Sequence, residues 1–326
     1  MNNQMQEEKG IYFQDDINEK IKDIDSIIFD CDGVLIDVTN SYDMAIQRTT
    51  EYILKEIANI SKFDPVTSEI IDGFKSTGGF NDEVDLTYAA ILSLAAANKL
   101  NKRGKNFVIE VIKNSDQSGI ESVEKYLDSI KVDISDLKKK LNYPGRHSDN
   151  ILYSIFDQIF YGPDLYNKLF KKKSKFTDQG LIDNDIVLIK QEMLDSLKKK
   201  FLNKIAIVSG RGIESIRYSL KEDLEKFDLK NSVFLEDEDR SLAKPNPDSL
   251  IRSIRGLGSS HCLYVGDSME DFIMAQKASE RGNKTTFCGI FGTGKLPEQR
   301  KKLFQDNKVS MIIESIDLLP KALNLD

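Results

Sequence analysis

Ser26-Ile27-Ile28-Phe29-Asp30-Cys31-Asp32-Gly33-Val34 is the stretch that decides how this 326-residue chain reads. Its first half is short, apolar and β-branched, which predicts a buried strand rather than a helix. Its second half turns abruptly acidic and carries a glycine suited to a tight turn. Two carboxylates two residues apart, just past an extended segment, can face one crevice, one as nucleophile and the other as proton shuttle. Taken alone, Asp-x-Asp-Gly is as compatible with an ordinary surface turn.

Runs of the same kind recur far downstream: Ile205-Ala206-Ile207-Val208, Cys262-Leu263-Tyr264-Val265 and Thr285-Thr286-Phe287-Cys288-Gly289-Ile290, with shorter ones at Val233-Phe234-Leu235 and Met311-Ile312-Ile313. Helical patterns over 213–226, 248–255 and 269–278 separate them. Strands alternating with helices predict an α/β fold, a parallel sheet covered on both faces, whose ligands gather at the carboxyl ends of the strands. Between the first strand and the rest lies a block of different character. It is helical in periodicity at 42–59, 86–100 and 150–160 and is broken by Gly78-Gly79, Pro144-Gly145 and Gly162-Pro163. The expected organisation is therefore an α/β core over 15–37 and 181–326 with a helical insertion over 38–180. Residues 1–14 are polar and are expected to be poorly ordered.

Three further strand ends carry chemistry. Gly266-Asp267-Ser268-Met269-Glu270-Asp271 runs into a helix, with Asp267 and Asp271 four apart on its first turn. They can serve as helix caps; placed near Asp30 they would repel it unless a cation sits among them, and magnesium is the hard, oxygen-seeking ion that fits. Lys244-Pro245-Asn246-Pro247-Asp248 holds a lysine on a segment stiffened by two prolines, where it can neutralise a nucleophile or a phosphate, although such a lysine is as often simply exposed. Ser209-Gly210-Arg211 follows a strand and precedes a helix, so Ser209 and the Gly210 N–H can donate to a phosphate oxygen, or Ser209 can cap the helix.

Together these residues resemble the haloacid dehalogenase superfamily, in its subfamily with a helical cap inserted after the first motif. The order matches: Asp-x-Asp-Gly-Val, then Ser after a second strand, then Lys before a proline turn, then Gly-Asp-Ser-x-x-Asp. The resemblance implies a Rossmann-like core with a cap. It implies an aspartyl-phosphate formed on Asp30, proton transfer by Asp32, and phosphate binding by Ser209, Gly210 and Lys244. Magnesium would be held by Asp30, Asp32 through its carbonyl, and Asp267, with Asp271 in support. An acid at position 32 favours phosphate esters over carbon–halogen bonds, because an alkoxide needs a proton to leave and a halide does not.

The chain also looks like a subgroup carrying a Gly-Gly-Phe-Asn-Asp run, some of whose members are linked to histidine biosynthesis. By that likeness Asn81, Asp82 and Asp85 are candidates for reading the leaving group; a helix C-cap at Gly78-Gly79 with Asp85 opening the next helix is the alternative, and both can hold. Arg146 and His147 are lesser candidates in a Pro-Gly-Arg-His turn, and the lysines of 168–175 read as a solvated loop. The expected activity is a phosphatase on a small phosphorylated metabolite. A phosphomutase of the β-phosphoglucomutase kind and a non-catalytic binding module are the alternatives. Phosphoglycolate, a sugar phosphate, a nucleotide and histidinol phosphate all remain open as substrate, and oligomeric state is not legible.

The totals narrow the partners. A net charge of -7 argues against a general nucleic-acid binder. No run approaches the ~20 apolar residues of a membrane span. Three widely spaced cysteines form neither a disulfide framework nor a zinc site, and the polar start lacks the order of a signal peptide, so a cytoplasmic protein is expected.

Overall fold

The computed structural model describes residues 6–14, 21–80, 82–145 and 149–325. Two compact units emerge, one of residues 1–39 and 185–326 and the other of residues 40–184.

The first unit is built on one sheet. Its strands are β1 (Gln6–Glu8), β2 (Ile11–Phe13), β3 (Ser26–Phe29), β6 (Ile205–Ser209), β7 (Val233–Phe234), β8 (Cys262–Gly266), β9 (Thr285–Ile290) and β10 (Met311–Ile313). A separate two-stranded ribbon pairs β4 (Ile36–Asp37) with β5 (Ile186–Val187), antiparallel, Ile36 opposite Val187. The main sheet runs β1-β2-β10-β9-β8-β3-β6-β7. Its six strands from β10 to β7 are parallel, and the β1–β2 hairpin adds to β10 antiparallel. Chain order reverses around β3, which has β6 on one side and β8 on the other. This is the switch point at which α/β sheets bind ligands.

Both faces of the sheet are buried, as the continuous apolar runs predicted. Ile27, Phe29, Ile205, Ile207, Leu263 and Val265 pack on one side with Leu194, Leu197 and Ile216 from the helices Gln191–Phe201 and Ile213–Leu220. Ile28, Ala206, Val208 and Tyr264 pack on the other with Leu250, Ile254, Met274 and Phe304 from the helices Asp248–Gly256, Met269–Glu280 and Pro297–Asp306. The helix predicted over 213–226 is α-helical only to Leu220 and continues as a 3-10 turn over Lys221–Lys226. All three cysteines are buried and unbridged.

The expectation for residues 1–14 is corrected at 6–13, which form a hairpin. Ile11 is fully buried, and the Tyr12 ring meets Phe291 edge-on at 5.9 Å. The apolar triplet Ile11-Tyr12-Phe13 pairs with β10, 300 residues away, a partner that no local reading of a polar terminus supplies.

The second unit is helical, and its described residues contain no strand. Its helices are Thr39–Tyr52, Ser68–Ser76, Glu83–Lys99, Gly104–Lys113, Ile120–Ser129, Ser135–Leu141 and Ile151–Phe170, the first beginning at the boundary. They enclose a core of their own that includes Phe74, Phe80, Tyr88, Ile91, Phe107 and Leu152. Glu83–Lys99 is buried along most of its length, which is why its pattern lacks a clear polar face. Among the described residues no helix is long and apolar enough to cross a membrane.

Candidate active site

Asp30 follows directly on β3, Ser209 ends β6 and Asp267 follows directly on β8, so three adjacent parallel strands deliver these residues to one edge of the sheet. The loop after β3 is tied down by the Cys31 carbonyl, which accepts from the N–H groups of Val34, Leu35 and Ile36. Gly33 sits at φ +75°, and a Cβ built there would lie 2.1 Å from Asp267 Oδ2. Glycine is required twice over, by the left-handed backbone and by the carboxylate seated against it.

Asp30, Asp267 and Asp271 each offer an oxygen, and these atoms lie within 4.8 Å of one another. Lys244 Nζ stands 2.7 Å from Asp30 Oδ1 and 2.7 Å from Asp271 Oδ1. The lysine is held by its loop: Asn246 donates from its N–H to the Ala243 carbonyl and from its side chain to the Ser241 carbonyl. Asp271 belongs to the capping box of its helix, its Oδ2 accepting from Ser268 N at 3.2 Å and Ser268 Oγ at 2.7 Å, while Oδ1 also accepts from Tyr264 OH at 2.8 Å. This one side chain both closes the capping box of its helix and pairs with Lys244.

Burial raises the Asp30 carboxyl well above the usual range; Asp271 and Asp267 add to the rise, and Lys244 offsets it only in part. Asp271 goes the other way. Burial works against its charge, yet Lys244 and the donors Ser268 and Tyr264 hold its pKa below the usual value. Lys244 stays charged despite burial because Asp271 and Asp30 flank it.

Ser209 is buried, and its Oγ accepts from Arg211 N at 3.3 Å. The next two amides are already taken: Gly212 N donates to Glu236 Oε2 and Ile213 N to Asp237 Oδ2, each at 2.8 Å. Gly210 is exposed, with no atom within 4 Å of where a Cβ would stand.

The sequence reading missed three groups. Arg211 is buried between Asp32 (Nη1 to Oδ1, 3.3 Å) and Asp185 (Nη2 to Oδ2, 2.8 Å). Arg300 Nη1 lies 3.1 Å from Asp267 Oδ2 and donates to the Thr293 carbonyl at 2.6 Å. Tyr264 braces Asp271. None carries a local signal, since Arg211 looks like an ordinary helix-flanking cation, Arg300 like a surface cation of the helix Pro297–Asp306, and Tyr264 like a strand residue. Formally, five carboxylates (Asp30, Asp32, Asp185, Asp267, Asp271) meet three cations (Lys244, Arg211, Arg300), leaving two negative charges.

In the helical unit it is Asp82, three residues ahead of the expected Asp85, that caps Glu83–Lys99, accepting from Val84 N at 2.8 Å and Asp85 N at 3.2 Å, while Asp85 accepts from Tyr143 OH. A Cβ on Gly79 would lie 2.6 Å from the Asp116 carbonyl and from Gly119 N, so close packing of two backbones accounts for this glycine. Asn81, Arg146 and His147 lie outside the described residues. Lys175 Nζ sits 4.4 Å above the Tyr52 ring.

A family model for haloacid dehalogenase-like hydrolases matches residues 24–279, and the chain belongs to that family. Among solved structures it is similar to phosphatase Tt82 from Thermococcus thioreducens, with a TM-score of 0.56 at 21% identity over 86% of this chain and 98% of that one. It is also similar to a family IA, variant 3 hydrolase from Entamoeba histolytica (TM-score 0.47, 17% identity, 93% and 99% covered) and to β-phosphoglucomutase from Clostridium difficile (TM-score 0.41, 15% identity, 92% and 97% covered). At 21% identity the first likeness establishes the shared fold. No curated protein matches the chain.

Proposed function

We propose that this chain is a magnesium-dependent phosphatase that hydrolyses a small phosphorylated metabolite through an aspartyl-phosphate on Asp30. The observation that carries the reading is the Asp30–Lys244–Asp271 ion network with Asp267 in ligand range, at the sheet's switch point.

The donor set fits magnesium. It offers clustered carboxylate oxygens and an excess of negative charge, and burial together with the neighbouring acids Asp271 and Asp267 raises the Asp30 pKa. Asp30, Asp267 and the Asp32 carbonyl would hold the ion. Asp271, whose oxygens serve Lys244, Tyr264 and Ser268, would act by positioning the lysine. When bound, the ion supplies the positive charge that keeps Asp30 ionised and neutralises the phosphoryl oxygens.

Asp30 attacks phosphorus in line as the ester P–O bond breaks, and the Asp32 carboxyl gives its proton to the leaving alkoxide. Water then attacks the aspartyl-phosphate, losing its proton to Asp32, so that phosphate departs and both aspartates return to their starting states. Lys244, Ser209 Oγ and the Gly210 N–H meet the phosphoryl oxygens, whose charge is spread over three equatorial positions.

Purified protein with magnesium should release phosphate from p-nitrophenyl phosphate, and Asp30→Asn should reduce this to background. Turnover retained in Asp30→Asn would end the assignment of the nucleophile. A panel of phosphorylated metabolites at fixed magnesium then ranks kcat/KM and identifies the leaving group.

A further inference from the structure

Arg211 is nearly inaccessible, with 2% of its side chain exposed, and it holds two carboxylates at once. Asp185, only 3% exposed, takes its Nη2 at 2.8 Å and is itself braced by Ser219 Oγ at 2.9 Å. Asp185 directly precedes β5, which pairs with β4, and Asp32 bridges to Ile36 at the start of β4. The guanidinium is therefore fastened on the β6 side by its own backbone and on the ribbon side by Asp185. Its Nη1 lies 3.3 Å from Asp32 Oδ1, an ion-pair contact without hydrogen-bond alignment, and the Asp32 side chain keeps 26% of its surface exposed.

A buried guanidinium between two acids is a costly arrangement. Charge neutralisation of Asp185 alone needs only one of its arms. A planar fork anchored at one end does something a lysine cannot: it fixes the direction of what the other end binds. We propose that Arg211 is a positioning residue that holds the Asp32 carboxyl in the orientation from which it transfers its proton. This rests on the phosphatase reading above and extends it to how the acid is aimed. Removing Arg211 leaves Asp30 and Lys244 in place, so attack on phosphorus persists while protonation of the leaving oxygen suffers. The loss must then grow with the basicity of the leaving group.

The test is a series of substituted aryl phosphates of similar size, from p-nitrophenyl to phenyl phosphate, whose phenol has a pKa of about 10. The slope of log(kcat/KM) against leaving-group pKa is compared among wild type, Arg211→Ala, Arg211→Lys, Asp185→Asn and Asp32→Asn. Acid catalysis contributes about 10²–10⁴-fold. We therefore expect Arg211→Ala to lose roughly tenfold or more on phenyl phosphate beyond its loss on p-nitrophenyl phosphate. Arg211→Lys and Asp185→Asn should steepen the slope less, and the double variant Arg211→Ala/Asp32→Asn should match Asp32→Asn alone. A parallel drop across the series, with unchanged slope, overturns the proposal and points to a contact with the phosphoryl group or a folding role instead. Should Arg211→Ala fail to fold, an unchanged slope in both Arg211→Lys and Asp185→Asn overturns it equally. Failure of the wild type to hydrolyse any of the esters would sink the phosphatase reading as well, an outcome distinct from an active enzyme with an unaltered slope.

Discussion

Replacing Lys244 by alanine leaves Asp30 and Asp271 buried beside each other with their shared cation gone. Breaking a buried ion pair by removing one partner costs about 3–5 kcal/mol, because the other charge stays desolvated. Urea unfolding of Lys244→Ala without metal should show a loss of about that size. Adding Asp271→Asn should return part of it, since the uncompensated charge is then removed too. Equal and additive losses would mean that the three groups are not energetically joined. The same residue shows how far single positions were legible. Lys244 could be singled out because two prolines follow it closely, but its partners could not, because Asp271 lies 27 residues further on and turns toward it only from a helix cap. Arg300 was wholly hidden, being one cation among many on an exposed-looking helix.

At the scale of elements, β3 is secured at both ends. Its carboxyl end carries the site; its amino end is clamped by Asp25, which accepts from Ser259 Oγ at 2.7 Å, Ser260 N at 3.1 Å, Ser260 Oγ at 3.0 Å and His261 N at 3.2 Å, just ahead of β8. Burial works to raise the Asp25 pKa, but these donors outweigh it and hold the carboxyl far below its usual range. A group depressed in the folded state stabilises above its unfolded pKa and loses that contribution as pH falls through the folded value. The stability gap between wild type and Asp25→Asn should therefore be constant at neutral pH and shrink below about pH 4. Denaturant titrations at pH 7, 4 and 3 check this, and a gap that widens on acidification would contradict it. Strands as elements were the most legible part of the chain, because short β-branched runs ending in glycine or acid are local signals. The β4–β5 ribbon was not, as two-residue strands carry no periodicity.

At the scale of the molecule, the two units keep separate apolar cores, with no residue shared between the helical cluster and the two that flank the sheet. Calorimetry should resolve two unfolding transitions. Magnesium should raise only the one belonging to the unit that carries Asp30 and Asp267, by about 2.7 kcal/mol at a hundredfold excess over Kd. A magnesium shift in the other transition alone would remove the ion from the carboxylate cluster.

The sequence by itself determined the class of fold, the helical insertion and the order of the four strand-end motifs. Each is written within a few neighbouring residues, in periodicity, glycine placement and carboxylate spacing. Only the tertiary structure decided which charges meet. Sheet order β8-β3-β6 brings Asp30, Ser209 and Asp267 to one edge from positions 58 to 237 residues apart. The pairing of Arg211 with Asp32 follows from that order and its pairing with Asp185 from the β4–β5 ribbon, since contact between side chains depends on strand neighbours that no local pattern encodes.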